Sequence, residues 1–124
     1  IYSTAAMVLD REIKNTESPV IIMDIDETVL DNSQYQVELF LTHTEYNPKS
    51  WNKWVKKEEA KLIPGAKQFI LKYKQNPNSR IIYLSNRSSE TLESTKNNMK
   101  KLGIYFENDI FLLRKRAVKK DYQF

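Results

Sequence analysis

Residues 20–35 read VIIMDIDETVLDNSQY, an apolar run followed at once by a dense group of carboxylates. The run from Val20 to Met23 is short and continuous, which is typical of a strand that is covered on both faces of its sheet. Four acidic residues then follow within eight positions: Asp24, Asp26, Glu27 and Asp31. Carboxylates this close together repel one another unless a cation, a shared proton or water intervenes. The stretch therefore predicts a strand that ends in a loop whose charge has a function.

Two more apolar runs lie farther along the chain. Residues 81–84 (IIYL) end in the polar residues Ser85, Asn86 and Arg87, and residues 109–113 (DIFLL) form the third run. Amphipathic helical segments separate the runs, with Asn47-Pro48 typical of a helix start and Gly103 of a helix end. The pattern therefore predicts an α/β fold with a parallel sheet and helices on both faces. Ligands of such sheets bind outside the carboxyl ends of the strands. We therefore expect the acidic loop and the Ser-Asn-Arg loop to meet in space.

The composition is that of one small domain. The chain has 124 residues, 40% of them hydrophobic and 29% charged, with a formal net charge of +4. It has no cysteine and a single histidine, His43, which excludes disulfides, thiolate metal sites and multi-histidine zinc sites. No apolar run approaches the roughly 20 residues of a transmembrane helix, and the start of the sequence lacks a signal-peptide pattern. Glycine occurs only at Gly65 and Gly103, which excludes a glycine-rich phosphate loop.

The spacing of Asp24 and Asp26 leaves two interpretations open. If the chain stays extended, side chains at positions i and i+2 point to the same side. A hard divalent cation would then relieve the repulsion, because Mg²⁺ prefers oxygen ligands and often takes one or two carboxylates together with a substrate phosphate. The alternative is a solvated turn whose acidic residues cap the next helix.

The longer string is more specific. VIIMDIDETVLDNSQY resembles motif I of the haloacid dehalogenase (HAD) superfamily, DxDx[TV], and more narrowly the DxDETxLDNxxY motif of the class C acid phosphatases, the lipoprotein e(P4)-like 5′-nucleotidases. IIYLSNR at 81–87 resembles the second motif, a strand that ends in Ser or Thr. KSWNKWVKKEEAKLIPGAKQFI at 49–70 is similar to the segment with a tryptophan pair and a Pro-Gly helix start. The matches follow the order of the family from about residue 20 to residue 113.

The resemblance implies a fold and an activity. The fold would be a single HAD-like α/β domain over residues 1–124 with a small helical cap-like insertion at 33–63. The activity would be that of a Mg²⁺-dependent acid phosphatase that hydrolyses phosphomonoesters, and nucleoside 5′-monophosphates in particular, through an aspartyl phosphate. Carried over, Asp24 is the nucleophile and a Mg²⁺ ligand. Asp26 is the general acid and base and gives its backbone carbonyl to the metal.

The second motif supplies three further candidates. The resemblance implies that Ser85 hydrogen-bonds a phosphate oxygen, whereas a serine here could also be the N-cap of the following helix. Asn86 and Arg87 are candidates for substrate binding, and Arg87 could equally be the partner in a surface ion pair.

The remaining candidates are a threonine of the acidic loop and two aromatic residues near the leaving group. Thr28 is expected to hold the loop or the phosphate. The resemblance places Tyr35 and Trp51 where an aromatic ring could stack on a nucleobase. The alternative is that Trp51 and Trp54 both belong to the core, and we expect this of Trp54.

Two motifs of the family are weak or absent. Its third motif is a lysine that neutralises the nucleophile and the phosphate; the matching region reads RKRAVKK, where Lys120 is the best positional match and Lys119 and Lys115 compete. This basic run could also be a solvated face or a nucleic-acid contact. The fourth motif, Gly-Asp-x-x-x-Asp, supplies further metal ligands on a strand beside motif I and has no match here. Without it the VIIM strand would be an exposed apolar edge, so the chain is either a fragment or a degenerate member.

The expected partner is a small-molecule phosphomonoester, not a nucleic-acid polymer, and self-association stays open. Two alternatives remain: a phosphate- or nucleotide-binding protein without turnover, and a phosphotransferase that passes the phosphoryl group to an alcohol. The resemblance implies an extracytoplasmic protein that is periplasmic, secreted or lipid-anchored at the cell envelope, with the cytoplasm as the alternative.

Overall fold

A parallel sheet of three strands organises residues 1–12 and 17–115, the part of the chain that the computed structural model describes. In chain order the elements are α1 (Tyr2–Glu12), β1 (Val20–Met23), β2 (Leu30–Asp31), α2 (Ser33–Leu41), α3 (Pro48–Lys56), β3 (Lys61–Leu62), α4 (Ala66–Tyr73), β4 (Arg80–Ser88), a 3₁₀ turn (Ser89–Thr91), α5 (Leu92–Leu102) and β5 (Ile110–Arg114). The sheet order is β1-β4-β5, and both pairings are parallel. The predicted α/β class is confirmed.

Strand β4 is longer than the apolar run that predicted it. The run ends at Leu84, but β4 continues to Ser88, with an irregularity between Ser85 and Ser88 and a last pairing of Ser88 with Arg114. The Ser-Asn-Arg segment therefore lies on the strand itself, and the prediction that it is a loop is wrong. The reason is that backbone pairing with β5 holds these polar residues in extended conformation after the apolar run ends.

Helices cover one face of the sheet. Side chains alternate between the two faces of a strand, and Ile81 and Tyr83 of β4 point to the covered side, where both are fully buried. Helices α4 and α5 contribute Ile70, Tyr73 and Met99 to the same core. Helix α1 packs against α4, and the ring centres of Tyr2 and Phe69 lie 5.3 Å apart.

The opposite face is open within the described residues. Ile22 of β1 is 68% exposed, Leu84 of β4 57% and Leu112 of β5 50%. The prediction that these strands are covered on both sides thus holds for one face only in this part of the chain. Strand β1 lies at an edge of the described sheet, as the resemblance implies.

The local signals for helix ends are confirmed. The side chain of Asn47 accepts a hydrogen bond from the backbone N–H of Ser50 at 2.9 Å, and Pro48 opens α3. Gly65 precedes α4, and Gly103 ends α5 with φ of 78°, a left-handed conformation that glycine adopts without strain. No helix among the described residues is both long and apolar enough to cross a membrane.

Helices α2 and α3 lie between β2 and β3, which pair antiparallel, Leu30 with Leu62 and Asp31 with Lys61. The pairing of β2 with β3 brings the two ends of residues 33–60 together, and this segment begins directly after the acidic loop. The assignment of 33–63 as a cap-like insertion stays a prediction.

Candidate active site

The acidic loop is a tight turn anchored in the core. The carbonyl oxygen of Ile25 accepts hydrogen bonds from the backbone N–H groups of Val29 at 2.8 Å and Leu30 at 3.0 Å, and all three side chains are fully buried. Glu27 has φ of 60°, in the left-handed region that non-glycine residues seldom adopt. The apolar residues thus fix the loop, while its acidic residues lie nearer to solvent.

Asp24 and Asp26 lie in different surroundings. The carboxylate of Asp24 is exposed, and its Oδ1 accepts a hydrogen bond from the backbone N–H of Ile25 at 2.7 Å. None of the ion pairs within residues 1–12 and 17–115 involves Asp24. Asp26 is partly buried and lies against Arg87 of β4. The first acid is therefore open to a ligand, and the second is held by the protein.

Arg87 joins the two segments that the sequence expected to meet. Its Nε and Nη2 donate to the carboxylate of Asp26, and its Nη1 donates to the hydroxyl of Thr95 on α5 at 3.0 Å. The guanidinium carbon lies 5.7 Å from the ring centre of Trp51. Arg87 is thus an ion-pair partner, but a buried one and not the surface residue of the alternative interpretation.

A pocket of about 290 Å³ opens beside this pair, and we call it the Asp26 pocket. Its walls include Asp26, Tyr35, Tyr46, Trp51, Asn86, Arg87 and Arg114. The ring of Tyr35 meets that of Trp51 edge-on at 5.2 Å, and Tyr46 lies 6.5 Å from Trp51. Trp54 is buried in the core, as predicted. The pocket therefore combines an ion pair with an aromatic wall.

The other residues of the second motif, Ser85 and Asn86, differ in exposure. Ser85 is buried, and its Oγ accepts a hydrogen bond from the backbone N–H of Arg87 at 3.1 Å. The residue that caps the 3₁₀ turn is instead Ser88, whose Oγ accepts from Glu90. Asn86 is exposed and lines the Asp26 pocket.

Thr28 lines a different cavity. This cavity, of about 740 Å³, lies between α1 and β1, and most of its wall is apolar, including Leu9, Ile21, Met23 and Phe69. The carbonyl oxygen of Thr28 accepts a hydrogen bond from the hydroxyl of Tyr2. The structure does not bring Thr28 to the Asp26 pocket. The ion pair of Asp26 with Arg87 lines the smaller pocket, whereas Asp24 and Ser85 are not among its lining residues.

The acidic loop offers part of a shell for a divalent cation. The Asp24 carboxylate is open, whereas the Asp26 carboxylate is taken by Arg87 and Asn32, which leaves Asp26 its backbone carbonyl. One carboxylate and one carbonyl oxygen fit Mg²⁺, which keeps several waters and binds substrate phosphate. Within the described residues, no three His, Cys, Asp or Glu side chains come together as a metal site.

The predicted lysine of motif III is not placed. Lys120 and its competitor Lys119 lie outside the described residues, and Lys115 is exposed just after β5.

Sequence reasoning missed two residues of the site. Asn32 is buried and donates from Nδ2 to Asp26 Oδ1 at 2.8 Å. Arg114 lines the pocket, and its Nε donates to the backbone carbonyl of Asn86 at 3.3 Å. Asn32 belongs to the motif itself, but its position just before a helix is typical of an N-cap. Arg114 begins the basic run and carries no separate signal.

The site can be compared with proteins of known kind. The sequence profile of HAD superfamily, subfamily IIIB (acid phosphatase) matches residues 1–123. The structure of the class C acid phosphatase from Bacillus anthracis superposes with a TM-score of 0.79 at 35% sequence identity. A structure of the class C acid phosphatase from Bacillus anthracis with tungstate bound gives a TM-score of 0.79 at 34% identity. Both matches cover 98% of this chain and 52% of the other, so the chain spans about half the length of these relatives.

Proposed function

This chain belongs to subfamily IIIB of the HAD superfamily, the acid phosphatases, and from this we propose that it hydrolyses phosphomonoesters at the Asp26 pocket. The observation that carries the proposal is the meeting of the acidic loop and β4, where Asp26 and Arg87 pair beside an aromatic wall. Such a place, at the carboxyl ends of parallel strands, is where open α/β sheets bind their ligands.

Asp24 is the proposed nucleophile, because its carboxylate is exposed directly after β1. A carboxylate oxygen of Asp24 attacks phosphorus, and the bond from phosphorus to the leaving oxygen breaks. Asp26, which in this step must start as the carboxylic acid, gives its proton to that oxygen as the alcohol leaves and becomes a carboxylate. Water then attacks the phosphorus of the acyl phosphate while Asp26 takes up a proton. The bond to Asp24 breaks and inorganic phosphate leaves, so that Asp24 is again a carboxylate and Asp26 again carries its proton.

Charge must be neutralised for a carboxylate to attack a phosphate ester. Mg²⁺ held by the Asp24 carboxylate and the Asp26 carbonyl would supply part of this neutralisation. We propose that Ser85 and Asn86 donate hydrogen bonds to the phosphate and that Lys120 adds a positive charge. Arg87 contributes through Asp26, since its guanidinium already pairs with that carboxylate.

The aromatic wall suits a planar leaving group. Tyr35 and Trp51 are in contact, and Tyr46 extends the wall toward solvent. Stacking of a base on an aromatic ring contributes about 1–3 kcal/mol by alanine substitution. We therefore propose nucleoside 5′-monophosphates as preferred substrates.

Phosphate release from adenosine monophosphate tests the proposal, measured with Mg²⁺ and again with EDTA. Release that needs Mg²⁺ is the expected result. Replacement of Trp51 by alanine should raise KM for the nucleotide more than KM for glycerol phosphate. Lack of phosphate release with Mg²⁺ would overturn hydrolysis by this chain.

A binding protein without turnover is the second candidate. It is favoured by the engagement of the Asp26 carboxylate with Arg87, and by the absence of a three-acid cluster among the described residues. Calorimetry with tungstate separates the two: binding of tungstate without phosphate release supports the second candidate, and neither binding nor release contradicts both. Glycerol phosphate formed from the nucleotide in the presence of glycerol would indicate a phosphotransferase.

A further inference from the structure

Asn32 stands at the N-cap of α2 but does not cap it. A side chain at this position usually accepts a hydrogen bond from a backbone N–H in the first turn, yet Asn32 makes no such bond. The neighbouring Asp31 does this instead, since its Oδ1 accepts from the backbone N–H of Ser33 at 2.8 Å. The Asn32 side chain is therefore free for another role, although it is 1% exposed.

All polar atoms of that side chain are used. Nδ2 donates to Asp26 Oδ1 at 2.8 Å and to Glu27 Oε1 at 2.9 Å. Oδ1 accepts a hydrogen bond from the indole Nε1 of Trp54 at 2.9 Å. Two amide hydrogens thus meet two carboxylates, and the amide oxygen meets an N–H donor.

The indole fixes which way the amide points. An indole nitrogen can only donate, whereas an ionised carboxylate, or the unprotonated oxygen of a carboxylic acid, can only accept. If the amide turned over, its oxygen would face two carboxylates and its NH₂ group would face the indole N–H. Both contacts are repulsive, and a buried polar group without a partner costs about 1–3 kcal/mol. Trp54 therefore holds the NH₂ group of Asn32 toward Asp26.

Helix α3 links this contact to the pocket wall. It carries Trp54 and, one turn earlier, Trp51. The helix that presents the aromatic wall also fixes the amide behind the carboxylate of Asp26.

We infer that Asn32 is a positioning residue for Asp26, held in orientation by Trp54, which aims the proposed acid at the leaving oxygen. The inference rests on the proposed phosphatase function. It assigns Asn32 no contact with the substrate. Its effect is on proton transfer, so the loss on mutation depends on how much the leaving group needs a proton.

Two substrates expose that dependence. p-Nitrophenolate leaves readily without a proton, whereas the alkoxide of glycerol phosphate does not. Because a positioned general acid contributes about 10²–10⁴-fold, Asn32→Asp should lower kcat/KM on glycerol phosphate by roughly 10- to 100-fold. We compare kcat/KM because it covers only the steps up to departure of the leaving group, whereas hydrolysis of the acyl phosphate is common to both substrates. On p-nitrophenyl phosphate the loss should be under about threefold. Trp54→Phe should give the same selective loss, smaller in size.

Asn98 provides a matched control. It is also buried, and within the part of the chain that the structure describes its side chain bonds only backbone groups of Ala60, at 3.0 and 2.9 Å. Asn98→Ala should lower stability but leave the ratio of the two kcat/KM values as in the wild type.

The indole signals provide a readout apart from activity. The chain has two tryptophans, so a ¹H–¹⁵N spectrum contains two indole N–H signals, and Trp54→Phe identifies one of them. Asn32→Ala should move that signal upfield because the hydrogen bond is lost. Asn32→Asp should keep it near its position, because a carboxylate oxygen still accepts.

The outcomes separate the inference from the function beneath it. A wild-type chain that releases no phosphate from either substrate overturns both. A wild-type chain that turns over, with equal losses of kcat/KM on both substrates in Asn32→Asp, overturns only the positioning role. An indole signal unmoved by Asn32→Ala overturns the role of Trp54.

Discussion

The guanidinium of Arg87 and the carboxylate of Asp26 form an ion pair across 61 residues of sequence. Nε lies 3.0 Å from Oδ1 and 3.2 Å from Oδ2, and Nη2 lies 2.7 Å from Oδ1. The Arg87 side chain is 1% exposed and that of Asp26 26%. Because the Arg87 guanidinium is buried, its charge must be compensated by the carboxylate of Asp26. The planar N–H donors of the guanidinium in turn fix the orientation of that carboxylate.

Arg87→Lys should therefore destabilise the fold even though the charge is kept. An ammonium is a point charge and cannot contact both oxygens and Thr95 in the same geometry. We expect a loss of about 1–3 kcal/mol in the free energy of unfolding from urea titration. Arg80→Lys is the control, since Arg80 begins the same strand and is exposed; its effect should stay within about 0.5 kcal/mol. Equal urea midpoints for both variants would contradict a structural role for the contacts of the Arg87 guanidinium with Asp26 and Thr95.

Asp24→Asn should abolish turnover and leave the fold intact. The amide cannot attack phosphorus, and we expect kcat to fall by roughly a thousandfold or more. Asp10→Asn, on the exposed face of α1, removes a carboxylate far from the pocket and should keep full activity. Circular dichroism of both variants should match the wild type. Full activity of Asp24→Asn would remove Asp24 as the nucleophile.

The sequence was sufficient for the features that repeat along the chain. Apolar runs located the three strands of the parallel sheet, and the rule that ligands bind at carboxyl ends predicted that the acidic loop meets the Ser-Asn-Arg segment, where Asp26 and Arg87 pair. The cap at Asn47 and the end at Gly103 followed from local chemistry. These features depend on one segment at a time or on a general rule of topology.

What the sequence did not reveal depends on contacts between distant residues. The side chain of Asn32 bonds Trp54, which is 22 residues away, and does not cap its helix. The extension of β4 beyond its apolar run depends on the pairing of Ser88 with Arg114. The open face of the sheet, with Ile22 and Leu84 exposed, cannot be inferred from a continuous apolar run because the run has no polar alternation.

Tyr83 and Tyr73 are both buried, but within the described residues only the hydroxyl of Tyr73 forms hydrogen bonds. The hydroxyl of Tyr83 has no partner among the described residues. That of Tyr73 contacts the carbonyl oxygens of Pro19 at 2.9 Å and Arg80 at 2.7 Å. Tyr83→Phe should be neutral or stabilising by up to about 1 kcal/mol, and Tyr73→Phe should cost about 1–3 kcal/mol. Urea unfolding checks both, and equal losses would contradict the assignment.

The same tyrosine predicts how stability changes in alkali. Burial, together with the nearby charge of Asp109, raises the pKa of Tyr83 above its ordinary value of 10.0. A pKa that is higher in the folded state means that the contribution to stability is complete below pH 10 and falls as the pH rises beyond it. Wild-type stability should therefore drop more steeply than that of Tyr83→Phe above pH 10. Parallel curves would contradict a raised pKa.

Lys74 and Asp109 form a buried ion pair that ties α4 to the start of β5. Their side chains are 4% and 1% exposed. The Lys74 ammonium also donates to Asn108 Oδ1 at 3.0 Å and to the carbonyl oxygen of Ser79 at 3.1 Å. Asp109 Oδ1 accepts from the backbone N–H of Ile81 at 2.9 Å, and its Oδ2 has no partner within the described residues. The ammonium of Lys74 therefore compensates the buried negative charge of Asp109.

Lys74→Met should be strongly destabilising, because it leaves the Asp109 charge buried without a cation. Loss of one partner of a buried pair costs about 3–5 kcal/mol. Lys72→Met is the control: Lys72 pairs with Asp10 at 2.9 Å, but these side chains are 55% and 57% exposed. Solvent screens that pair, and its loss should cost under about 1 kcal/mol. Urea unfolding at neutral pH compares the two variants, and similar losses would show that burial does not govern the strength of the Lys74 pair.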